Sequence, residues 1–333
     1  MKLTENAKRV LQARYLLKNK NGKVIEKPEQ LFKRVSRTVA SAENIYGGNA
    51  LSWEKKFYTM MSELRFLPNS PTLMNAGKEM GQLAACFVLP VNDSMDSIFN
   101  TLKNAALILQ SGGGTGFSFS DLRPKSDIVQ STGGVASGPV SFMRIYNTAT
   151  EVIKQGGARR GANMGILRID HPDILEFIRV KRKEDEFANF NISVEVSDAF
   201  MEALRTHKTY NLINPRSREI AGKIKADLVF NEIVESAWET GDPGVIFIDK
   251  INETNPTPHI GTIVSTNPCG EQPLLPFEAC VLGSIDVSKY GWIGEVVKKW
   301  GVSHTQVKRW IRKNYKEFKY FERRKGKPKL ASA

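Results

Sequence analysis

Apolar runs of strand length alternate with amphipathic segments over most of the chain. Helical spacing of apolar residues occurs in the segments between or after these runs, and strands that alternate with helices in this way are typical of βα units. The pattern therefore predicts an α/β fold with a parallel sheet. The expected strands are residues 84–90, 116–120, 164–169, 189–195 and 244–248, and the expected helices are residues 96–109, 139–153, 172–183, 198–205 and 226–240.

The first 75 residues have a helical pattern instead. Apolar residues recur at helical spacing over residues 6–17, and Pro28 stands where a second helix would begin. Proline is favoured in the first turn of a helix because its missing N–H is not needed there. A third helix is expected at about residues 53–64. We predict a helical region at residues 1–75 that is followed by an α/β part at residues 76–290.

Composition changes this picture mainly through charge. The chain of 333 residues carries a formal net charge of +13, and residues 291–333 alone hold 13 lysines and arginines against three glutamates. The basic character therefore belongs to the tail. No apolar run approaches the roughly 18 residues of a membrane span, and the N-terminus lacks the hydrophobic region of a signal peptide. We expect a cytosolic protein that has no membrane partner.

Two of the three cysteines lie in one short stretch, and three cysteines do not make a disulfide scaffold. Cys269 lies between Asn267 and Glu271, next to a proline and a glycine, and these residue types favour turns over cores. A thiol beside a carboxylate on a loop acts as a nucleophile, a metal ligand or a hydrogen-atom carrier, and the local sequence does not decide among these roles. The spacing to Cys280 fits neither a zinc knuckle nor a Cys-x-x-Cys redox motif.

The other two cysteines, Cys86 and Cys280, each lie in an apolar run that is typical of a buried strand. A buried cysteine is commonly a small apolar core residue, and this is the simpler interpretation of Cys280 taken alone. The histidines His171 and His259 do not form a metal cluster with other residues in the sequence. We interpret both histidines as structural and predict no metal site.

Longer motifs surround the three cysteines. They are Cys-Phe-Val-Leu-Pro at residues 86–90, Asn-Pro-Cys-Gly-Glu at residues 267–271 and Glu-Ala-Cys-Val-Leu-Gly-Ser-Ile at residues 278–285, with further motifs at residues 68–77, 111–124, 131–139 and 156–162. In this order they resemble the adenosylcobalamin-dependent (class II) ribonucleotide reductases. The resemblance covers about residues 3–290.

This resemblance implies a fold and a set of partners. The fold would be a helical N-terminal cap followed by the first half of a ten-stranded α/β barrel, in which a finger loop carries Cys269 at its tip. The second half would follow Tyr290, so we expect an incomplete chain that needs the second barrel half in trans. The implied ligands are a ribonucleotide substrate, as the diphosphate, adenosylcobalamin, an external thioredoxin-like dithiol, and deoxynucleotide or ATP effectors. A homodimer is also expected.

The resemblance also assigns roles to individual residues. Cys269 would become the thiyl radical that removes the 3′ hydrogen of the ribose, since the cofactor supplies the radical and the protein supplies its placement. Glu271 would accept the proton of the 3′ hydroxyl as a general base. Asn267 would hydrogen-bond the ribose hydroxyls. Cys86 and Cys280 would supply the reducing equivalents and finish as a disulfide.

Other positions match the family's substrate and effector segments. Thr72, Ala85 and Gly114 would line the substrate. Without the resemblance, residues 112–116 would be interpreted as a plain tight turn, because a glycine-rich stretch alone is a weak signal for phosphate binding. The arginine pair at residues 159–160 would be interpreted as a solvated surface pair. The residues that would bind the deoxynucleotide effector or carry its signal are Asp93, Ser94, Met95, Arg123, Arg159 and Arg160.

The tail at residues 291–333 lies outside this resemblance. Ser303 would be the N-cap of a helix whose apolar residues at 307, 310 and 311 form a buried stripe, and the pattern resembles a small all-α helix-turn-helix. Its outward basic residues would contact DNA phosphates, largely without sequence specificity. A solvated amphipathic hairpin is the alternative interpretation. The expected DNA-binding residues are Lys308, Arg309, Arg312 and Lys313.

Three hypotheses for the whole chain follow. The first is a component of a cobalamin-dependent ribonucleotide reductase that reduces ribonucleotides to 2′-deoxyribonucleotides for DNA synthesis. The second is a catalytically inactive reductase fragment whose tail binds DNA. The third is a complete enzyme of unrelated thiol chemistry. This hypothesis is weakened because no histidine lies near either cysteine motif in the sequence.

Overall fold

Contacts divide the chain into two units, one made of residues 1–69 and 283–333 and the other of residues 70–282. The computed structural model describes residues 3–129, 133–153, 161–182 and 186–289, together with residues 301, 303, 305, 306, 323, 324, 327 and 328.

Helices and strands alternate in the described residues much as the sequence pattern predicts. The α-helices are α1 (Glu5–Arg14), α2 (Pro28–Ala40), α3 (Ala50–Ser62), α4 (Ser70–Asn75), α5 (Met95–Gln110), α6 (Pro139–Val152), α7 (Ile174–Ile178), α8 (Asp198–Arg205), α9 (Ala226–Thr240) and α10 (Ile248–Glu253). Short 3₁₀ helices span Ser41–Asn44 and Val287–Lys289.

The strands are mostly short. They are β1 (Phe66–Pro68), β2 (Cys86–Pro90), β3 (Gly114–Ser118), β4 (Ile128–Val129), β5 (Gly134–Val135), β6 (Asn163–Arg168), β7 (Phe190–Val196), β8 (Thr209–Ile213), β9 (Ile220–Lys225), β10 (Gly244–Phe247), β11 (Ser265–Thr266), β12 (Pro273–Leu274), β13 (Ala279–Cys280), β14 (Gly283–Ile285), β15 (Arg323–Arg324) and β16 (Lys327–Pro328).

The N-terminal part of the first unit is mostly helical, which confirms the prediction for that region. Helix α2 starts at Pro28, as expected, and its apolar face, which includes Leu31, Phe32 and Val35, is buried. A buried ion pair joins Glu26 to Arg34, whose Nε lies 2.8 Å from the carboxylate. Because a buried carboxylate needs such partners, this pair fixes the chain before α2 against the helix.

Six strands form the sheet of the second unit, in the order β10-β7-β6-β3-β2-β13. The five strands from β10 to β2 are parallel to their neighbours, whereas β13 is antiparallel to β2. Strands that follow one another along this parallel run are joined through helices, because parallel neighbours need long crossovers. The predicted α/β pattern with a parallel sheet is therefore confirmed. The ten-stranded barrel stays a prediction.

The two faces of this sheet differ, since successive side chains of a strand point to opposite faces. Phe117 and Phe119 are fully buried, and Phe117 packs edge-on against Tyr146 of α6 with ring centroids 5.0 Å apart. The Tyr146 hydroxyl donates a 2.6 Å hydrogen bond to the carbonyl of Ile98. Aromatic packing thus holds α5 and α6 on one face and leaves the glycines of β3 on the other face.

Two sequence predictions need correction in the second unit. The helix expected at residues 172–183 is only Ile174–Ile178. It starts late because the ring Nδ1 of His171 accepts the N–H of Asp173 at 3.0 Å and favours a turn, and after Ile178 the chain continues in turns, with the Val180 N–H donating to the Phe177 carbonyl at 3.3 Å. The sequence analysis also missed the antiparallel hairpin of β8 and β9, which lies between α8 and α9. The run expected to form a strand at residues 279–282 pairs only at Ala279–Cys280.

Few residues of the predicted tail are described. Ser303 Oγ accepts the N–H of Gln306 at 3.1 Å, and the Gln306 side chain accepts the N–H of Ser303 at 2.8 Å. This reciprocal pair is a capping box, as expected for Ser303 at a helix start. Strands β15 and β16 pair with each other, so the all-α description is wrong for those residues, where Pro328 lacks the N–H that a helix interior needs. Within the described part of the chain, no helix is long and apolar enough to cross a membrane.

Candidate active site

The two strands β11 and β12 pair as a hairpin, the finger hairpin (residues 265–274), with Cys269 in its loop. Asn267 closes this loop: its backbone N–H donates to the Gln272 carbonyl at 3.1 Å, and its side-chain oxygen accepts the Gln272 N–H at 3.0 Å. The Gly270 N–H donates to the Asn267 carbonyl at 3.0 Å, and Gly270 has a φ of +81°, which favours glycine. The loop is therefore a defined turn with Cys269 at its tip.

The finger hairpin crosses β3 where that strand lacks side chains. A Cβ on Gly116 would lie 1.8 Å from the carbonyl oxygen of Thr266, and a Cβ on Gly114 would lie 2.7 Å from Cγ of Pro268. Only glycine leaves room for the backbone of a second segment this close. These two glycines, which the sequence analysis treats as part of a tight turn or a substrate segment, thus form the floor under the hairpin.

A side chain from β7 contacts the same loop. Asn191 Nδ2 donates a 2.6 Å hydrogen bond to the carbonyl oxygen of Pro268, the residue before Cys269. Nothing in the sequence alone marks Asn191 as a site residue, because a single asparagine within the apolar run of β7 has no distinctive spacing. Its position on the face opposite the buried Phe190 and Ile192 follows from strand alternation.

The other two cysteines lie directly opposite each other on neighbouring strands. Cys280 of β13 is the register partner of Cys86 of β2, and both are buried thiols. Opposite residues of an antiparallel pair have Cα atoms about 4.5–5.5 Å apart, within the range that a disulfide needs. Burial, together with a hydrogen bond to Cys86, raises the pKa of Cys280 to about 12. The register therefore places the two thiols within the range that a disulfide needs, and their redox role stays a prediction.

One side chain links the thiol pair to the loop of Cys269. Asn267 is 1% exposed, and its Nδ2 donates to Cys86 Sγ at 3.4 Å while its oxygen accepts the Gln272 N–H. The same amide therefore contacts the redox pair and closes the finger hairpin. In this arrangement both polar ends of the Asn267 side chain are engaged within the protein.

Cys269 and Glu271 differ from the thiol pair in their access to solvent. Both residues are exposed in the loop and lie two positions apart, whereas the thiols of Cys86 and Cys280 are buried. Burial is the main cause of the raised pKa of Cys280, and the negative charge of Glu271 adds to it. The structure therefore brings together all five predicted catalytic residues in one unit, around the loop of the finger hairpin.

Comparisons with known proteins identify the family of the chain. A family model for the ribonucleotide reductase all-alpha domain matches residues 1–81, and a model for the ribonucleotide reductase barrel domain matches residues 84–317. The chain belongs to the ribonucleotide reductase family. The barrel match continues past residue 290, and the separation of a tail at residue 291 stays a prediction.

Similar reductases are named as vitamin B12-dependent enzymes. The chain is 50% identical to the vitamin B12-dependent ribonucleoside-diphosphate reductase of Thermoplasma acidophilum, over 87% of this chain and 45% of that protein. It is 48% identical to the protein of the same name from Mycobacterium tuberculosis, over 87% of this chain and 42% of that one. The chain thus spans less than half the length of these relatives. The resemblance to class II reductases is confirmed for the matched portion.

The positions that the reductase family assigns to substrate lie beside the thiols. The Gly114 N–H donates to the Ala85 carbonyl at 2.8 Å, and the Ala85 N–H donates to the Cys280 carbonyl at 2.8 Å. Thr72 is buried in α4, and its hydroxyl donates to the Leu83 carbonyl at 3.0 Å. Ala85 and Gly114 are therefore next to the finger hairpin and the redox pair. Their substrate contacts stay predictions.

The predicted effector residues form a local cluster at the start of α5. Asp93 Oδ2 accepts the Arg123 Nε–H at 2.7 Å, and its other oxygen accepts the Arg123 backbone N–H at 3.2 Å. Ser94 caps α5 by accepting the Ser97 N–H at 3.1 Å, and Met95 is 60% exposed. Arg159 and Arg160 lie outside the described residues, as do Lys308, Arg309, Arg312 and Lys313 of the tail.

A second ion pair, which no sequence motif predicts, includes Asp127, four residues after Arg123. Arg216 of the β8–β9 connection donates two hydrogen bonds of 2.9 Å to the carboxylate of Asp127, and Asn214 donates a third. The Arg216 guanidinium holds the pKa of Asp127 well below its usual range. The two residues are 89 positions apart, so only the missed hairpin brings them together.

Two further titratable groups lie away from the thiols. Burial raises the pKa of Glu195, at the end of β7, to about 7, although Arg168 lowers it. His171 is fully buried and its Nε2 donates to the Leu122 carbonyl at 2.9 Å, since Nδ1 accepts the Asp173 N–H. Burial lowers the pKa of His171, which is consistent with a structural role. Among the residues that the structure describes, no group of three or more His, Cys, Asp or Glu side chains is placed to hold a metal ion.

Proposed function

We propose that this chain carries the thiyl site and the reducing pair of a ribonucleoside-diphosphate reductase. The observation that carries the proposal is the opposed pair Cys86 and Cys280, linked through Asn267 to the loop of Cys269. A reductase needs one thiol that exchanges hydrogen with substrate and two that supply electrons. The exposed thiol and the buried pair supply these two functions.

Access to solvent decides which thiol fits a bulky cofactor. Cys269 is exposed at the loop tip, whereas Cys86 and Cys280 are buried, so only Cys269 can be approached directly by a large group. We infer that adenosylcobalamin is the group that acts here, as the names of the similar reductases suggest for those proteins. When bound, it supplies the radical that converts the Cys269 thiol to a thiyl radical. The protein supplies placement.

The residues of the site account for each atom of the reduction. The Cys269 thiyl removes the 3′ hydrogen of the ribose, and Glu271 accepts the 3′ hydroxyl proton as a general base. The 2′ hydroxyl leaves as water after it takes up a proton. Cys86 and Cys280 give two electrons and two protons and form a disulfide, and Cys269 returns a hydrogen atom to the 3′ carbon. In the net reaction, one ribonucleotide and two thiols are converted to one deoxyribonucleotide, one water and one disulfide.

Asn267 would orient the ribose hydroxyls, as the family resemblance implies. Because both ends of its amide are engaged by Cys86 and Gln272, a ribose hydroxyl would share or replace one of these contacts. Thr72, Ala85 and Gly114 would line the substrate. An external thioredoxin-like dithiol would reduce the Cys86–Cys280 disulfide after each turnover.

Regulation and assembly form part of the same proposal. Asp93, Ser94, Met95 and Arg123, which lie together at the start of α5, would bind a deoxynucleotide or ATP effector. Two copies of the chain would form a homodimer. The part of the relatives that this chain does not match would complete the ten-stranded barrel in trans, since the chain spans only 45% of the Thermoplasma acidophilum protein.

The experiment that tests this function is anaerobic ribonucleoside-diphosphate reduction with adenosylcobalamin and a dithiol. The chain is assayed alone and with a second chain that comprises the unmatched part of the Thermoplasma acidophilum relative. We expect deoxynucleotide only in the mixture, and none with Cys269→Ala. Turnover by the Cys269→Ala mixture would overturn the assigned radical site, and silence of the wild-type mixture, with both chains folded, would overturn the proposed activity.

A separate proposal concerns the basic tail, residues 291–333. Its 13 lysines and arginines against three glutamates, and the capping box at Ser303, favour a basic helix that contacts DNA phosphates. Lys308, Arg309, Arg312 and Lys313 would make those contacts. Replacing these four with glutamine should weaken DNA binding and reduce its dependence on salt in fluorescence anisotropy. Unchanged binding by the fourfold variant would contradict this proposal.

A further inference from the structure

We propose that Asn191 is a positioning residue for Cys269, an inference that rests on the proposed radical role of Cys269. Asn191 lies on β7, 77 residues before Pro268, and its Nδ2 donates to the Pro268 carbonyl at 2.6 Å. This hydrogen bond joins the sheet to the tip of the finger hairpin, two parts of the chain that are distant in sequence. Because the acceptor is a backbone carbonyl, the hydrogen bond restrains the loop itself.

The geometry of the peptide bond carries the effect to Cys269. The carbonyl of Pro268 and the N–H of Cys269 belong to one planar peptide unit. Holding the carbonyl oxygen therefore fixes the plane that also contains the Cys269 nitrogen and Cα, so only rotation about φ and χ1 of Cys269 is left to change the direction of its side chain. Asn191 thus controls the thiol without touching it.

A second contact restrains the same residue. The proline ring fixes φ of Pro268, and the ring packs on β3, where a Cβ on Gly114 would lie 2.7 Å from its Cγ. The ring on β3 thus holds the nitrogen and Cα of Pro268, while Asn191 on β7 holds its carbonyl oxygen and so restrains ψ. With the Asn191 bond removed, only the ring and the hydrogen bonds within the loop remain.

Radical hydrogen transfer depends strongly on such placement. Misplacing a reacting group by about 1 Å costs a rate factor of about 10² in enzymes that depend on proximity. Loss of the Asn191 bond should loosen the loop rather than remove it, so we expect kcat to fall about tenfold. The KM for the nucleotide should change by less than about twofold, since Asn191 contacts the loop and not the thiol pair.

The test uses the full chain and begins with a readout that needs no cofactor or substrate. Hydrogen exchange of peptides that cover residues 267–274 reports the Gly270 and Gln272 amides, which are bonded within the loop. In Asn191→Ala we expect these amides to exchange about five to ten times faster. Asn191→Asp keeps the shape but replaces the donor with an acceptor, so it should not restore protection. The control is Asn211→Ala, which changes an exposed asparagine at the centre of β8.

The activity readout then separates this inference from the proposed function. In the two-chain reductase assay, Asn191→Gln, which keeps the amide donor, should recover part of the kcat that Asn191→Ala and Asn191→Asp lose. Oxidation of the Cys86–Cys280 pair by diamide should proceed at the wild-type rate in all variants. Unchanged loop exchange in both Asn191→Ala and Asn191→Asp, or a rise that Asn211→Ala reproduces, would overturn the positioning role. Faster loop exchange without turnover by the wild type would support the role of Asn191 in ordering the loop and overturn the proposed activity alone.

Discussion

Replacing Gly116 with alanine should displace the finger hairpin from the sheet. The added Cβ would lie 1.8 Å from the Thr266 carbonyl oxygen and 2.9 Å from its carbonyl carbon, and both contacts are with backbone. Real Cβ atoms essentially never approach closer than 3.0 Å, so the backbone of β11 must retreat by more than about 1 Å. Overpacking of this kind typically costs about 1–3 kcal/mol. The loss should be concentrated in the hairpin.

A matched substitution controls for the general effect of removing a glycine from a strand. Gly222 lies in β9, and the nearest atom to its Cβ position is 4.0 Å away, on the side chain of Leu212. Gly222→Ala should therefore be neutral or stabilising by about 0.4–1 kcal/mol, because alanine reduces the freedom of the unfolded chain.

Urea unfolding and hydrogen exchange measure the two effects together. Gly116→Ala should lower the unfolding midpoint relative to Gly222→Ala and should speed amide exchange in residues 265–274. The Asn267 contact with Cys86 should also be lost, so Cys86 should be alkylated faster than in the wild type. If Gly116→Ala and Gly222→Ala have equal midpoints and the hairpin exchanges at the wild-type rate, the close packing of β11 on β3 is refuted.

Three further predictions follow from the titratable groups. Iodoacetamide at pH 8 should modify exposed Cys269 well before Cys280, whose pKa is raised to about 12, and peptide mass spectrometry showing the reverse order would contradict this. The pKa of Glu195 is raised to about 7, so the folded state binds the proton more tightly and stability falls as pH rises from about 4.3 to 7. Glu195→Gln should flatten that dependence in urea midpoints, and equal slopes would refute it. Because Arg216 lowers the pKa of Asp127, their pair stabilises the fold at neutral pH and loses this effect as pH falls below about 4. Arg216→Ala should therefore lower Tm more at pH 7 than at pH 3, and a difference that is independent of pH would count against the pair.

Much of the α/β part was predictable because its strands and helices carry strong periodic signals. The runs around Phe117 and Ile192 are buried strands, and the intervening segments have one apolar face, so hydrophobic period alone identifies them. The short α7 was harder to predict, since the side chain of His171 accepts a backbone N–H and delays the start of the helix, and the apolar pattern does not mark the turns after Ile178. The β8–β9 hairpin was missed because its strands are largely exposed and lack a continuous apolar run.

The candidate site was predictable in its residue types but not in its contacts. Motif resemblance selected Cys269 and the two other cysteines, yet nothing in the spacing of Cys86 and Cys280 states that they are register partners. That fact depends on β13 pairing antiparallel with β2 after the chain has passed through the finger hairpin. Asn191 was missed for the same reason, because its partner is a backbone carbonyl 77 residues away.

The positions of the reacting thiols depend on backbone contacts more than on the thiols themselves. Cys86 and Cys280 meet because two strands are in register, and Cys269 is held through the peptide of Pro268 and the closure by Asn267. Every one of these contacts lies within the unit of residues 70–282. Small changes at the glycines of β3 should therefore alter both the loop exchange and the reactivity of the thiol pair. The five proposed catalytic residues lie in this one unit, around a hairpin that only a glycine floor allows to approach the sheet.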